Sequence, residues 1–130
     1  MANKINLFLD DERKPVDAYP HTHDLSYLMQ PWYQVKTYDQ FTRVITELYT
    51  QHSTLPFIIS FDHDLDNEHY EYLNHPIPYE TFKIKTGLHC AEWLYHFCKE
   101  NNVDIPVWKI HTQNPAGGEN IIKMLQYGKL

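Results

Sequence analysis

The chain is short of cysteine, long apolar runs and basic charge, and each shortage removes a class of protein. Its two cysteines, Cys90 and Cys98, fall in one helical pattern, where eight residues separate them by about 12 Å, too far for a disulfide to close. Both thiols are therefore expected to be reduced and the protein cytoplasmic. No segment reaches the ~18 apolar residues of a membrane span, and the apolar run at 5–9 meets Asp10, Asp11, Glu12 and Arg13 too soon for a signal sequence. Seventeen acids against eleven bases leave a net charge of −6, which excludes a protein that coats duplex DNA. Internal repeats, low-complexity tracts and linkers are also missing. What remains, 42% hydrophobic and 15% aromatic residues over 130 positions, is material for one core and predicts a single domain over 1–130.

Four segments read as strands: 5–9, 34–37, 57–61 and 107–110. The first and third are almost wholly apolar, as strands covered on both faces are, whereas the second is short and polar enough for a sheet edge. Helical stripes lie between them. Phe41, Val44, Ile45 and Leu48 form one, with Thr37 or Asp39 as its cap; Leu88, Ala91, Leu94, Tyr95 and Cys98 form another behind Thr86; Ile121, Ile122 and Leu125 form the last. A fainter stripe at 24–29 stops at Pro31. Strands alternating with helices predict parallel crossovers and a small doubly wound α/β domain with a sheet of about four strands. Two stretches exceed a minimal version, 14–33 and an insertion at about 66–85 that carries two prolines and several tyrosines. Loops of that length are usually functional lids or mobile inserts.

In an open α/β sheet, ligands bind beyond the carboxyl ends of the strands, where strand order reverses. Asp10 and Asp11 follow the first strand, Asp62, His63 and Asp64 the third, and His111, Thr112 and Asn114 the fourth. A strand order of 2-1-3-4 would bring Asp10, Asp11, Asp62 and Asp64 together. Such a group cannot stay ionised without a cation, which predicts a hard divalent ion, magnesium or manganese. The plainer alternative, turn caps and solvated acids, does not explain why two acidic clusters meet on one rim. His63, between two acids, is expected to be protonated near neutral pH and to act as a general acid, with His111 sharing proton transfer across the same cleft. Gly117 and Gly118 open the last helix, where backbone N–H groups can approach a phosphate. Arg13, Lys83 and Lys85 would supply positive charge for an anionic substrate. His21 and His23 would face one way in an extended segment and form a further candidate metal pair. His21, His52, His69, His75 and His96 share no ligand spacing, and most read as surface residues.

These residues resemble a known pattern. An acid pair after the first strand, an aspartate after the third and a hydroxyl residue after the fourth is the arrangement of response-regulator receiver domains. The fuller set is Leu-Phe-Leu-Asp-Asp-Glu-Arg-Lys-Pro at 7–15, Phe-Asp-His-Asp-Leu at 61–65, Thr86 and Gly87 before a helix, and His-Thr-Gln-Asn-Pro-Ala-Gly at 111–117. It is similar to the divergent cyclic-phosphate processing receiver domains, over nearly the whole chain. The resemblance implies a receiver-like, flavodoxin-like fold in which Asp10 and Asp11 hold a metal, Asp62 is the phosphoryl acceptor and Thr112 the switch hydroxyl. The chain departs from ordinary receivers in lacking a fifth strand with its switch lysine, and in adding His63 and Asp64. Both departures favour hydrolysis or binding of a phosphate ester over signalling.

The expectation is thus a metal-dependent phosphoesterase for a cyclic phosphate or phosphodiester of a nucleotide-type substrate. Magnesium or manganese would sit on Asp10, Asp11, Asp62 and Asp64, with Asp62, His63 and His111 catalytic. Arg13, Lys85, Thr112, Asn114, Gly117 and Gly118 would bind substrate, and the insertion would close over its base or sugar. The expected partner is a phosphate-containing small molecule or an RNA end, with no membrane. The alternatives are a module that binds a nucleotide signal or a protein partner without chemistry, its tyrosines stacking on bases, and a phosphoacceptor switch on Asp62.

Overall fold

The computed structural model describes residues 5–130. Four parallel strands, β1 (Asn6–Leu9), β2 (Tyr33–Val35), β3 (Ile58–Phe61) and β4 (Val107–Ile110), form one sheet in the order β2-β1-β3-β4. This is the α/β receiver-like architecture, with four strands among the described residues and a helix after the last of them. Strand order reverses between β1 and β3. Their register pairs Leu9 with Phe61 and Phe61 with Ile110, so the residues that follow these three strands leave the sheet level with one another.

The alternation of side chains along β1 and β3 sorts the core into two layers. Leu7, Leu9, Ile59 and Phe61 point to one face. There they pack with α3 (Tyr38–His52), α4 (Gly87–Glu100) and α5 (Pro115–Tyr127) through Phe41, Ile45, Leu88, Leu94, Ile121 and Leu125. Phe8 points to the other, under Ala18 of α1 (Pro15–Thr22) and Tyr27 of α2 (Ser26–Met29), with Trp32 beside them. Local signals start and stop these helices. The Thr37 hydroxyl accepts from Gln40 N–H at 3.1 Å, Thr86 accepts from Leu88 N–H at 3.1 Å, and Gly128 ends α5 at φ 75°, where a glycine fits without strain.

The structure corrects the sequence reading in three places. The 14–33 stretch holds a helix, α1, that periodicity does not reveal because only Ala18 of its residues is buried; Pro15 at its first turn is its clearest signal. The second strand, read at 34–37, runs from Tyr33 to Val35. The insertion contains two short 3₁₀ turns, Asn67–His69 and Tyr79–Thr81. Cys90 and Cys98 are both buried and free, and among the described residues no helix is long and apolar enough to cross a membrane.

Candidate active site

Beyond the carboxyl ends of β1, β3 and β4 lies a cleft of about 250 Å³ lined by Asp10, Arg13, Asp62, Asp64, Tyr70, Leu73, Thr112, Gln113 and Asn114. The backbone places its two central acids. Asp62 N–H donates to Leu9 C=O at 3.0 Å and Asp10 N–H to Val35 C=O at 3.0 Å, which holds both residues at the strand ends. Gly87 seals the joint below Asp62, since a Cβ there would lie 1.8 Å from the Asp62 carbonyl oxygen. Asp10, Asp62 and His111 each offer one ligand atom, and these lie within 4.8 Å of one another.

Asp10 Oδ1 accepts from the backbone N–H groups of Glu12 at 2.9 Å and Arg13 at 2.8 Å, and Oδ2 is 3.0 Å from His111 Nε2. Burial alone would raise its carboxyl, but the His111 bond and the two N–H groups outweigh it and hold Asp10 below the ordinary carboxylate range. Asp62 goes the other way. Burial, reinforced by the charge on Asp10, pushes it up to about 8, against hydrogen bonds from His63 N–H and Thr112. Asp11 neither lines the cleft nor joins this cluster; its carboxyl is raised to about 6 by burial and by the charges of Asp10 and Glu12, and its Oδ1 is buried with no hydrogen-bond partner.

A family model for the cyclic-phosphate processing receiver domain matches residues 5–127. The chain belongs to that family. No curated protein and no solved structure matches it.

This receiver domain departs from its sequence reading most clearly at the histidines. Neither His63 nor His111 is exposed, so the two rings do not face the cleft together. His63 lies behind the wall, with Nδ1 2.6 Å from Asp64 Oδ1 and Nε2 2.9 Å from the Tyr79 hydroxyl. Gly117 packs on its ring so closely that a Cβ would fall 2.3 Å from His63 Cγ. His111 is stacked on Phe8 at 4.2 Å, and burial keeps its ring below the ordinary imidazole range despite the bond to Asp10. His21 and His23 form no pair: His21 Nε2 bonds the His111 carbonyl at 2.6 Å, and His23 ends α1 in a left-handed conformation at φ 56°. His69, which reads as a surface residue, is fully buried and joins Leu65 N–H at 2.9 Å to the Ile84 carbonyl at 2.8 Å.

The proposed ligands of an anion divide in the same manner. Arg13 and Thr112 line the cleft, and Arg13 Nη2 donates to Gln113 Oε1 at 2.8 Å across it. Lys85 does not line it; its amine stands 5.1 Å over the Tyr38 ring. Lys83 is also exposed and away from the cleft. Gly117 N–H is taken by Asn114 Oδ1 at 2.9 Å and Gly118 N–H by the Asn114 carbonyl at 2.8 Å, so these amides close a helix cap rather than face a phosphate. Asn114 reaches the cleft wall while its Nδ2 donates to Asp64 Oδ1 at 3.1 Å and the Tyr72 carbonyl at 2.8 Å. Asp64 therefore lines the cleft but spends its oxygens on His63 and Asn114, outside the cluster of Asp10, Asp62 and His111.

The 66–85 insertion is a docked wall rather than a loose lid, anchored by His69, by Tyr79 and by the Tyr72 carbonyl. It contributes Tyr70 and Leu73 to the cleft. These two, with Gln113, were not singled out from the sequence. Gln113 lay inside a recognised motif, but nothing in the irregular insertion distinguishes Tyr70 from its neighbouring tyrosines.

Proposed function

We propose that this receiver domain is a metal-dependent phosphoesterase that opens a cyclic phosphate or phosphodiester of a nucleotide-type substrate. The observation that carries the reading is the meeting of Asp10 and Asp62 at one cleft mouth. Two further facts fit a divalent cation there. Asp62 is pushed up to about 8 without one, as a carboxyl robbed of its counter-charge should be, and the buried Asp11 Oδ1 is an acceptor with no donor. Asp10 and Asp62 would hold magnesium or manganese through oxygen, as hard cations prefer, with the unpaired Asp11 Oδ1 as a further acceptor outside the cluster. The chemistry such a cation supplies is Lewis-acid polarisation of a phosphoryl oxygen and neutralisation of its charge.

The chain's own groups account for the remaining needs of the reaction. Arg13 would present a guanidinium, tethered by Gln113, to the phosphate oxygens, and the Thr112 hydroxyl donates to Asp62 and so orients it. Tyr70 and Leu73 form the wall on which the nucleoside part would rest. Asp62 would give up its proton to hold a cation, so cation binding would release a proton near neutral pH. His63 and His111, both sealed from the cleft, support this arrangement from behind.

The test is phosphorus NMR of 2′,3′-cyclic nucleotides, cyclic dinucleotides and ADP-ribose cyclic phosphates with magnesium, manganese or chelator. Asp62→Ala should lower metal-dependent turnover by ~100-fold or more, as loss of catalytic electrostatics does. Turnover near that of wild type in this variant refutes the reading. Broadened signals from a ligand recovered intact would identify a binding module without chemistry instead.

A further inference from the structure

Behind Asp10 runs a line of buried hydrogen bonds that the reaction does not itself use. The Tyr27 hydroxyl is 2.6 Å from Ser60 Oγ, Ser60 Oγ is 2.7 Å from His111 Nδ1, and His111 Nε2 is 3.0 Å from Asp10 Oδ2. Tyr27 is 3% exposed, and Ser60 and His111 are not exposed at all. The line crosses the sheet's second layer, beside Phe8 and Trp32, with Trp32 stacked on Tyr27 at 5.4 Å. Ser60 is the one polar side chain in an otherwise apolar β3, and its place in this line explains it.

Counting protons gives the line a direction. Tyr27, Ser60 and a neutral His111 ring carry one proton each for three bonds, and the Asp10 carboxylate carries none. The bond to Asp10 is therefore donated by His111 Nε2–H, Nδ1 accepts from Ser60, and Ser60 accepts from Tyr27. Reversal would put the proton on Nδ1 and set the Nε2 lone pair against the Asp10 carboxylate. One of the two hydroxyls, Tyr27 or Ser60, would then have no acceptor among the described residues, a costly omission in a dry site. A doubly protonated ring would likewise strand one of the two hydroxyls.

We propose that Tyr27 and Ser60 are positioning residues for Asp10, acting through His111, and that the imidazole is a hydrogen-bond donor to Asp10 rather than a ligand of the cation. The geometry gives this assignment a purpose: of the three groups whose ligand atoms lie together, His111 is committed to Asp10, which leaves the cation to the carboxylates. It rests on the phosphoesterase reading for the presence of the cation, but the direction of the line belongs to the metal-free protein.

The experiment is nitrogen NMR of the protein with ¹⁵N-labelled histidine, without metal and then with manganese binding measured by calorimetry. Wild type should show His111 protonated at Nε2 and unprotonated at Nδ1, with an Nε2 proton slow to exchange with water. Ser60→Ala should speed that exchange and weaken manganese binding by about tenfold, the usual result of removing an outer partner of a metal ligand. Tyr27→Phe, which deletes one oxygen and keeps the ring packing, should move both readings the same way by less, and it serves if Ser60→Ala does not fold. Pulsed electron paramagnetic resonance of the manganese form should show no directly bound imidazole nitrogen. Protonation at Nδ1 in wild type, a bound imidazole nitrogen, or folded variants with unchanged exchange and affinity would each overturn the proposal. If wild type binds no manganese, the phosphoesterase reading falls, while the protonation pattern and the exchange rates still decide the direction of the line.

Discussion

His111 and His63 each sit in a buried row of hydrogen bonds that ends on an aspartate, yet the two rows meet different surroundings. In one, Tyr27, Ser60 and His111 lead to Asp10; in the other, Asn120, Tyr79 and His63 lead to Asp64. Asp10 then faces a second carboxyl, Asp62, which is driven up to about 8 partly by that proximity. Asp64 instead meets the Asn114 amide, which donates to it at 3.1 Å. The same device thus sets an acid against a second carboxyl in one place and against an amide in the other. What faces the acid, and not the histidine behind it, separates a candidate reaction centre from a structural joint. The joint has its own use, since Tyr79 belongs to the insertion and pins Tyr70 and Leu73 over the cleft.

Substitutions that strike one row and spare the other test this difference. The largest stability effect is expected from Gly117→Ala, whose new methyl would meet the His63 ring at 2.3 Å with the helix α5 backbone behind it. Overpacking of that kind costs about 3 kcal/mol, to be read from urea unfolding. A variant as stable as wild type would mean that His63 is free to move aside. Next comes the pH dependence contributed by Asp62. Its folded carboxyl lies at about 8 against an ordinary 3.8, so the folded chain keeps a proton that the unfolded chain releases. The stability this provides is fully present below the ordinary value and is lost as pH rises through about 8, at on the order of 1 kcal/mol per pH unit between pH ~5 and ~8 in metal-free protein. Asp62→Asn should flatten that slope and saturating manganese should reduce it; parallel melting curves for wild type and variant across pH would contradict the assignment. The smallest effect belongs to Tyr79→Phe, which strands His63 Nε2 and the Asn120 amide and should cost about 1 kcal/mol. Limited proteolysis within 66–85 should quicken in this variant while manganese affinity holds. Ser60→Ala should show the reverse pattern, and a variant that moved both readings together would merge the two rows into one unit.

Much of the fold was legible because it rests on local patterns. The apolar runs of β1 and β3, the stripe of Phe41, Ile45 and Leu48, and the caps Thr37 and Thr86 are each contained within a few residues. Asp10, Asp62 and Thr112 could be placed from the same patterns, because each directly follows a strand and the carboxyl ends of parallel strands share one rim. The α1 helix escaped because it buries one residue and so leaves no stripe. The role of the histidines escaped for another reason: His63 between two acids reads as a charged group at a cleft, and only its packing against Gly117 and Tyr79 shows that it is sealed. His69 likewise reads as a surface residue until its two ring nitrogens are seen to join Leu65 to Ile84. Ser60 offered a hint, a lone hydroxyl in an apolar strand, without a partner named.

The sequence by itself determined the four strands and the three long helices, the rim on which the acids gather and the family to which the motifs are similar, since these follow from spacing along the chain. The tertiary structure alone decided which of four aspartates face one another, which lysines and glycines stand away from the cleft, and which histidine serves which acid. Those outcomes depend on contacts between residues as much as 101 positions apart, such as His111 and Asp10, and on the burial that those contacts create. A carboxyl's charge is set by what surrounds it in space, and no reading of its neighbours along the chain contains that information.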